Sequence, residues 1–383
     1  MVRACSGPIA GRWARPASVA ARSTSSAFPV TGRPFANVTV SSMPTRRWPP
    51  AASAANMTGS VVRPIPVIAE VIRSGFEESR HRGSAVLLGA DGREVLYRAG
   101  EVIAPMFPRS SNKPVQAAAM RACGLALDGE LLALASASHS GEDFHVTGVR
   151  KILAGAGLTE DALQCPPALP MDEPTLWRFL REGGKPDRVH MNCSGKHAAM
   201  LATCVTAGWP AQTYRDPDHP LQREIKAALG RLAEEEVAAT GVDGCGAPLF
   251  ALSLTGLARA FRALVLAAPD SAERSVADAV RANPAWTSGT NRSERALHEA
   301  VPGLLLKSGA EGVQAFALAD GRAGAVKVED GSPRAIPAIT VALLRILGVD
   351  RDDGVDRDAL DQIADLPVLG GGQPVGQIRA TLP

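Results

Sequence analysis

Ser84-Ala-Val-Leu-Leu88 runs into Gly89-Ala-Asp-Gly92 and then Arg93-Glu-Val-Leu-Tyr97. Two apolar runs around a Gly/Asp turn predict a β-hairpin. A second hairpin is predicted far downstream. There Val313-Gln-Ala-Phe-Ala-Leu318 passes through Asp320-Gly321 into Gly324-Ala-Val-Lys-Val328, and Asp330-Gly331 closes it. The chain between them is helical in pattern. Leu221, Ile225, Leu229 and Leu232 repeat at helical spacing behind Pro220. Leu257, Ala258, Phe261, Leu264 and Val265 form another stripe, with Thr255 as its expected N-cap. A helix from Ser194 to Ala207 ends at Gly208, and Ile339 to Leu347 reads as the last buried helix. Strands near both ends and helices between them imply an α+β fold. Its antiparallel sheet is drawn from both chain ends, flanked by helices, with a helical subdomain inserted.

The 383 residues are 45% hydrophobic, which is enough for a folded core. Charge is unevenly placed. Residues 1–56 hold seven Arg, no Lys and no acid, which leaves 34 basic against 39 acidic residues beyond them. No basic stripe survives in the body, so nucleic acid is not an expected partner. Apolar runs such as Ala263–Ala268 are far shorter than the ~20 residues a membrane span requires. Six cysteines in a chain this long do not make a disulfide scaffold, so reduced thiols in a cytoplasmic protein are expected. Cys123 and Cys204 sit among apolar residues and are expected in the core. Residues 1–56 are read as a disordered or targeting extension, or as the product of a start placed too early, with Met57 as the true start. The second reading is preferred, and residues 57–383 are then the catalytic domain.

Chemistry begins at Arg109-Ser110-Ser111-Asn112-Lys113-Pro114, which opens a helix predicted to run to about Cys123. Ser110 and Lys113 are three apart and share the first turn. A serine needs an adjacent base, and a lysine serves as one only where burial or a neighbouring cation lowers its pKa. The free N–H groups of a helix start also suit an oxyanion. Alone, Ser-x-x-Lys is a common pattern, equally read as a capping serine beside a solvated lysine. Two further elements follow in order: Ala137-Ser138-His139-Ser140-Gly141-Glu142-Asp143, and Lys307-Ser308-Gly309 behind Leu304-Leu305-Leu306. That ordered set is the layout of serine β-lactamases, penicillin-binding proteins and their glutaminase relatives. Met191-Asn192-Cys193-Ser194-Gly195-Lys196-His197 starts one helix, and Thr240 to Gly246, with Asp243 and Cys245, forms a tight loop. Two thiols with an Asp and a His nearby are zinc-ligand types, but their spacing is that of no finger or ribbon. By chemistry alone, two buried thiols in a turn is the simpler reading.

Together with Asp216-Pro-Asp-His-Pro220 and Lys327-Val-Glu-Asp-Gly331, these stretches resemble the asparaginase II family of the Rhizobium etli type, over about residues 65–350. The resemblance implies a β-lactamase/glutaminase-like fold and hydrolysis of the side-chain amide of L-asparagine. It implies Ser110 as nucleophile and Lys113 as its base, with Ser138 and Lys307 as a second Ser–Lys pair. It implies zinc on Cys193, Lys196 and Cys245, orienting substrate, with affinity that falls in acid because a ligating lysine must be neutral. Asp243 would lie near the substrate, Arg109 would meet its carboxylate, and His139 and Asn192 would line the pocket. A homodimer is implied as well. The rivals are a glutaminase or another acyl hydrolase on the same scaffold, a non-catalytic amino-acid or zinc-binding protein, and a redox sensor built on Cys193 and Cys245.

Overall fold

The computed structural model describes residues 65–382, so the reading of residues 1–56 and of a start at Met57 lies outside the described residues. The main sheet is antiparallel throughout. Its strands run in the order Leu366–Gly370, Gln373–Ala380, Val67–Arg73, Phe76–Leu88, Ala323–Val328, Val313–Ala317 and Leu305–Gly309. The strand Val95–Ala99 pairs with the second half of Phe76–Leu88, which forms the first predicted hairpin. The second predicted hairpin is also present, and both chain ends feed one sheet as expected.

Alternation along these strands explains the two layers. Successive side chains of a strand point to opposite faces. Val86 and Leu88 enter one apolar core with Ala315, Ala323 and Ala325. Ala85 and Leu87 enter another with Phe316, Val326 and Val328. This part of the sheet is therefore a wall buried on both sides, and residues 84–88, Val313–Ala317 and Ala323–Val328 read as largely apolar runs. Each fully buried Leu or Val of this wall contributes about 1.5–3 kcal/mol relative to exposure.

The larger core lies under the central helices. These include Lys113–Ala122, Gly129–Ala135, Asp143–Gly155, Ser194–Ala207, Pro220–Ala233 and Leu254–Leu266. The helix Ser194–Ala207 ends where expected, at a left-handed Gly208 with φ 69°. The smaller core holds the helices Ser293–Ala300, Ile336–Ile346 and Arg357–Ala364. A second sheet of three short strands, Pro105–Met106, Pro248–Ser253 and Ala239–Val242, sits beside the helical layer.

Four details differ from the sequence reading. The cap of the Leu254–Leu266 helix is Ser253, whose hydroxyl accepts from Gly256 N at 2.8 Å, while Thr255 donates its hydroxyl to Val102 O. The apolar helix near the end starts at Ile336 and is not the last, because Arg357–Ala364 and a terminal hairpin follow. Cys123 is half-exposed at the end of its helix, whereas Cys204 is buried as expected. The opening segment at Arg109 is one turn of 3-10 helix, Arg109–Asn112, before the α-helix Lys113–Ala122 begins.

Candidate active site

Arg109 has φ 53°, in the left-handed region that a non-glycine residue occupies only under constraint. The bend it makes presents Ser110 at the start of the 3-10 turn. Ser111 holds the turn by donating both its N–H and its hydroxyl to Pro108 O. Among the described residues neither the hydroxyl nor the N–H of Ser110 makes a hydrogen bond. The end of the Leu305–Gly309 strand packs onto this turn. A Cβ at Gly309 would lie 2.6 Å from Pro108 O and 3.3 Å from Ser110 N, so only glycine permits the approach.

Behind the turn lies a buried cluster. Lys113 Nζ donates to Ala137 O at 2.5 Å, to Ser138 Oγ at 2.9 Å and to Cys193 Sγ at 3.1 Å. Lys307 Nζ lies 3.1 Å from Ser138 Oγ and donates to Ser308 O at 2.6 Å. Ser138 thus stands between the two amines, and Lys113 engages Ser138 and not Ser110. Burial lowers the Lys307 pKa, the charge of Lys113 lowers it further, and together they bring the amine down to about 7. The buried carboxylate of Glu294 opposes this, and it is itself held low by Arg292 at 3.1 Å against the raising effect of burial. Sequence reading missed Glu294, which sits on a helix with no motif around it.

The second cluster is one helical turn away. Gly195 lets the Ser194–Ala207 helix close on Leu134, since a Cβ there would meet Leu134 O at 2.6 Å. This brings Cys193 and Lys196 to the hairpin turn after Ala239–Val242. That turn is closed by Gly246 N donating to Asp243 O at 2.8 Å. Lys196 Nζ donates to Cys245 Sγ at 3.2 Å. The neighbouring Cys193 thiol is the main reason the Cys245 thiol ionises far below its usual range, and Lys196 adds to it. The Cys193 thiol is correspondingly held up, by Cys245 and by burial. Cys165, buried nearby, is pushed up to about 11 mainly by desolvation.

Charge lines the outer edge. Arg109 Nε donates to Asp243 Oδ1 at 2.8 Å, and its Nη1 lies 3.7 Å from Glu311. Gly244 N holds the same Asp243 oxygen at 2.9 Å. Asn192 receives the Cys193 thiol on Oδ1 at 3.2 Å, and its carbonyl accepts from His139 N. His139 is fully buried, and both its nitrogens are committed inside the protein. Gly141 N donates to Nδ1 at 3.1 Å. Ser194 gives its own proton to Val189 O and so accepts from Nε2–H at 2.8 Å.

The structure therefore gathers Arg109, Lys113, Ser138, Lys307, Asn192, Cys193, Lys196, Asp243 and Cys245 into linked contacts, with His139 fixed behind them, while the hydroxyl of Ser110 on the adjoining turn is hydrogen-bonded to none of them. As a zinc site, two sulfurs and an amine suit the metal's preference for soft and borderline donors. Among the described residues no group of three or more His, Cys, Asp and Glu is arranged for a metal, so a metal held by these two thiols would need the Lys196 amine as its third donor.

A hydroxyl between two buried amines, beside a strained serine turn, is the equipment of an acyl-transfer hydrolase. The chain belongs to the L-asparaginase II family, whose model matches residues 69–380. That membership makes it an amidohydrolase in class, and the match extends beyond the span seen in the sequence, through the terminal hairpin. No curated protein matches the sequence. Two solved structures are similar at low level. A β-lactamase from Mycobacterium bovis shares 16% identity and a TM-score of 0.39, covering 74% of this chain and 95% of its own. A candidate β-lactamase from Bacteroides dorei shares 16% identity and a TM-score of 0.38, covering 70% and 93%. Both likenesses are too low to carry an argument on their own. Among the described residues no helix is long and apolar enough to cross a membrane.

Proposed function

We propose that the protein hydrolyses L-asparagine to L-aspartate and ammonia through a serine ester. The observation that carries this reading is the Lys113–Ser138–Lys307 cluster behind Ser110, with the Arg109–Asp243 pair at its edge. An α-amino acid presents a carboxylate and an ammonium side by side. A guanidinium next to a carboxylate matches both charges.

In this reading Ser110 Oγ attacks the amide carbon and its proton passes to the amine cluster. Lys307 is the amine that begins neutral near pH 7, and Ser138 is the hydroxyl through which it connects to Lys113. The oxyanion accepts from the free Ser110 N–H. The cluster returns a proton to the leaving nitrogen, ammonia departs, and water adds to the aspartyl ester under the same base. Zinc on Cys193, Lys196 and Cys245 would supply positive charge that orients the substrate. Cys193, one of the residues that would hold it, accepts from Lys113 Nζ at 3.1 Å. The thiols are taken as reduced, and the active form as a cytoplasmic homodimer.

One observation favours a second reading of the same chemistry. Ser138, not Ser110, is the hydroxyl in contact with both amines, so Ser138 is the rival nucleophile. Ammonia release from L-asparagine and L-glutamine by residues 57–383, with and without zinc after chelation, tests the function. Strong release from asparagine supports it, release from glutamine alone moves the substrate, and release from neither sinks it. Trapping the ester and locating it by peptide mass separates Ser110 from Ser138.

A further inference from the structure

Lys307 lies between two fixed points of its strand. On one side Gly309 is pressed onto the serine turn, where a Cβ would not fit. On the other, Leu306 N donates to Nε2 of His298 at 3.2 Å. Leu305–Gly309 is the last strand of the main sheet, and its partner in the ladder is Val313–Ala317. The Leu306 N–H is turned away from that partner and is buried, so it needs an acceptor from outside the sheet. His298 supplies it. This histidine is buried on the Ser293–Ala300 helix, which also carries Glu294, and its Nδ1 lies 2.7 Å from Glu294 O.

Both ends of the imidazole are decided by their partners. A carbonyl oxygen only accepts, so the ring proton sits on Nδ1 and goes to Glu294 O. A backbone N–H only donates, so Nε2 keeps its lone pair for Leu306. The Nε2–H form would set a donor against a donor at Leu306 and leave Glu294 O facing a bare lone pair. Glu294 is thus tied to the strand of Lys307 through its carbonyl, while Arg292 Nη2 holds its carboxylate at 3.1 Å. Leu306 enters the smaller core and Leu305 the larger one, so Lys307, next along the strand, is directed to the side of Leu305. Adjacent Cα atoms are about 3.8 Å apart across a stiff peptide plane, so any slack at Leu306 passes to Lys307.

We infer that His298 is a positioning residue for Lys307: in its Nδ1–H form it ties the helix of Glu294 to the strand at Leu306, and so holds the lysine amine at its 3.1 Å approach to Ser138 Oγ. Both hydrogen bonds of the ring go to backbone, so it acts through the strand and not on the substrate. The tie stands on these two bonds alone. Its effect on turnover rests on the proposed function, in which Lys307 takes the proton.

The test uses the full chain. Nitrogen-15 NMR of the wild type, with His298 assigned through the couplings of its own side chain, is expected to show the Nδ1–H tautomer at pH 7. An Nε2–H tautomer or an imidazolium would overturn the inference. Glutamine keeps an acceptor for Leu306 N and a donor for Glu294 O, whereas leucine keeps neither. In folded His298→Leu, with unchanged circular dichroism, kcat on L-asparagine is expected to fall about 10- to 100-fold with KM little changed, because a displaced proton acceptor costs rate and not binding. His298→Gln is expected to recover most of that loss. Unchanged kcat in His298→Leu, or an equal loss in both variants, would overturn the positioning role. In a Lys307→Met background His298→Leu is expected to change kcat by less than about twofold, and a further fall of about tenfold would overturn the route through Lys307. Should His298→Leu fail to fold, His298→Asn, which keeps the donor to Glu294 and is too short for Leu306, takes its place. If the wild type releases ammonia from neither amide, the proposed function fails. Hydrogen exchange of the Leu306 amide then still decides the tie: it is expected to speed up about tenfold or more in the variant, and an unchanged rate would overturn it.

Discussion

Two buried clusters adjoin in the molecule, one built of two amines around a hydroxyl and the other of two thiols beside an amine. In the first, a serine hydroxyl stands between two lysine amines. In the second, a thiol pair stands against one lysine amine, with Cys193 joining the two clusters through Lys113. Burial acts on both and gives opposite results. Lys307 has a cation for a neighbour and comes down to about 7. Lys196 has thiols and Asp243 for neighbours, and their negative charge outweighs burial and holds its pKa above the usual range. The lesson is that a buried lysine becomes a base beside another lysine and a counter-ion beside a thiolate. One cluster is thereby suited to moving protons and the other to holding charge.

Substitutions can break this division. The largest effect is expected from the serines. Removing the nucleophile should lower kcat by about 10⁴-fold or more, with Ser110→Ala the larger loss. Ser138→Ala should cost about 10²- to 10⁴-fold, as loss of a proton-transfer group does. If Ser110→Ala retains most activity and Ser138→Ala retains none, the roles are reversed. Next comes Lys307→Met, expected to lower kcat/KM by about 10²- to 10⁴-fold. The wild-type pH profile belongs to the same prediction. Lys307 accepts a proton only when neutral, so kcat/KM should rise with pH through about 7 and fall below it. A profile flat from pH 6 to 8 would remove Lys307 from the mechanism.

Cys245→Ser should act on the other cluster, removing a sulfur donor of the proposed zinc site, so that zinc affinity falls and KM rises more than kcat falls. An equal fall in kcat and kcat/KM would merge the two clusters into one machine. The smallest effect is the control. Ser253→Ala removes a helix cap distant from the chemistry and should lower unfolding stability by about 1 kcal/mol with kcat unchanged.

Much of this was legible before any coordinates. The two hairpins were visible because apolar runs flank Gly/Asp turns, and the central helices because their stripes are regular. The terminal hairpin was not. Leu366–Gly370 carries Pro367 inside it, and Gln373–Ala380 alternates half-buried with exposed polar residues, so neither makes an apolar run. The Thr255 cap failed because Ser253 lies two residues earlier at the end of a strand, where no helical stripe points to it. At the site, the residue types were readable and the partnerships were not. Spacing put Lys113 beside Ser110, whereas the fold turns its amine onto Ser138, 25 residues away.

The pairing of Val67–Arg73 with Gln373–Ala380 bears on how the protein is made. Synthesis proceeds from the N-terminus, so the first strand of the sheet emerges long before the strand that covers its outer edge. During that interval its backbone N–H and C=O groups are open to any passing strand. The partner strand lies more than 300 residues downstream, and Thr381, 314 residues after Val67, then completes the seam by donating to Ile68 O at 3.0 Å. Nascent chains stalled short of the last hairpin should accordingly be clients of chaperones that mask unpaired strands.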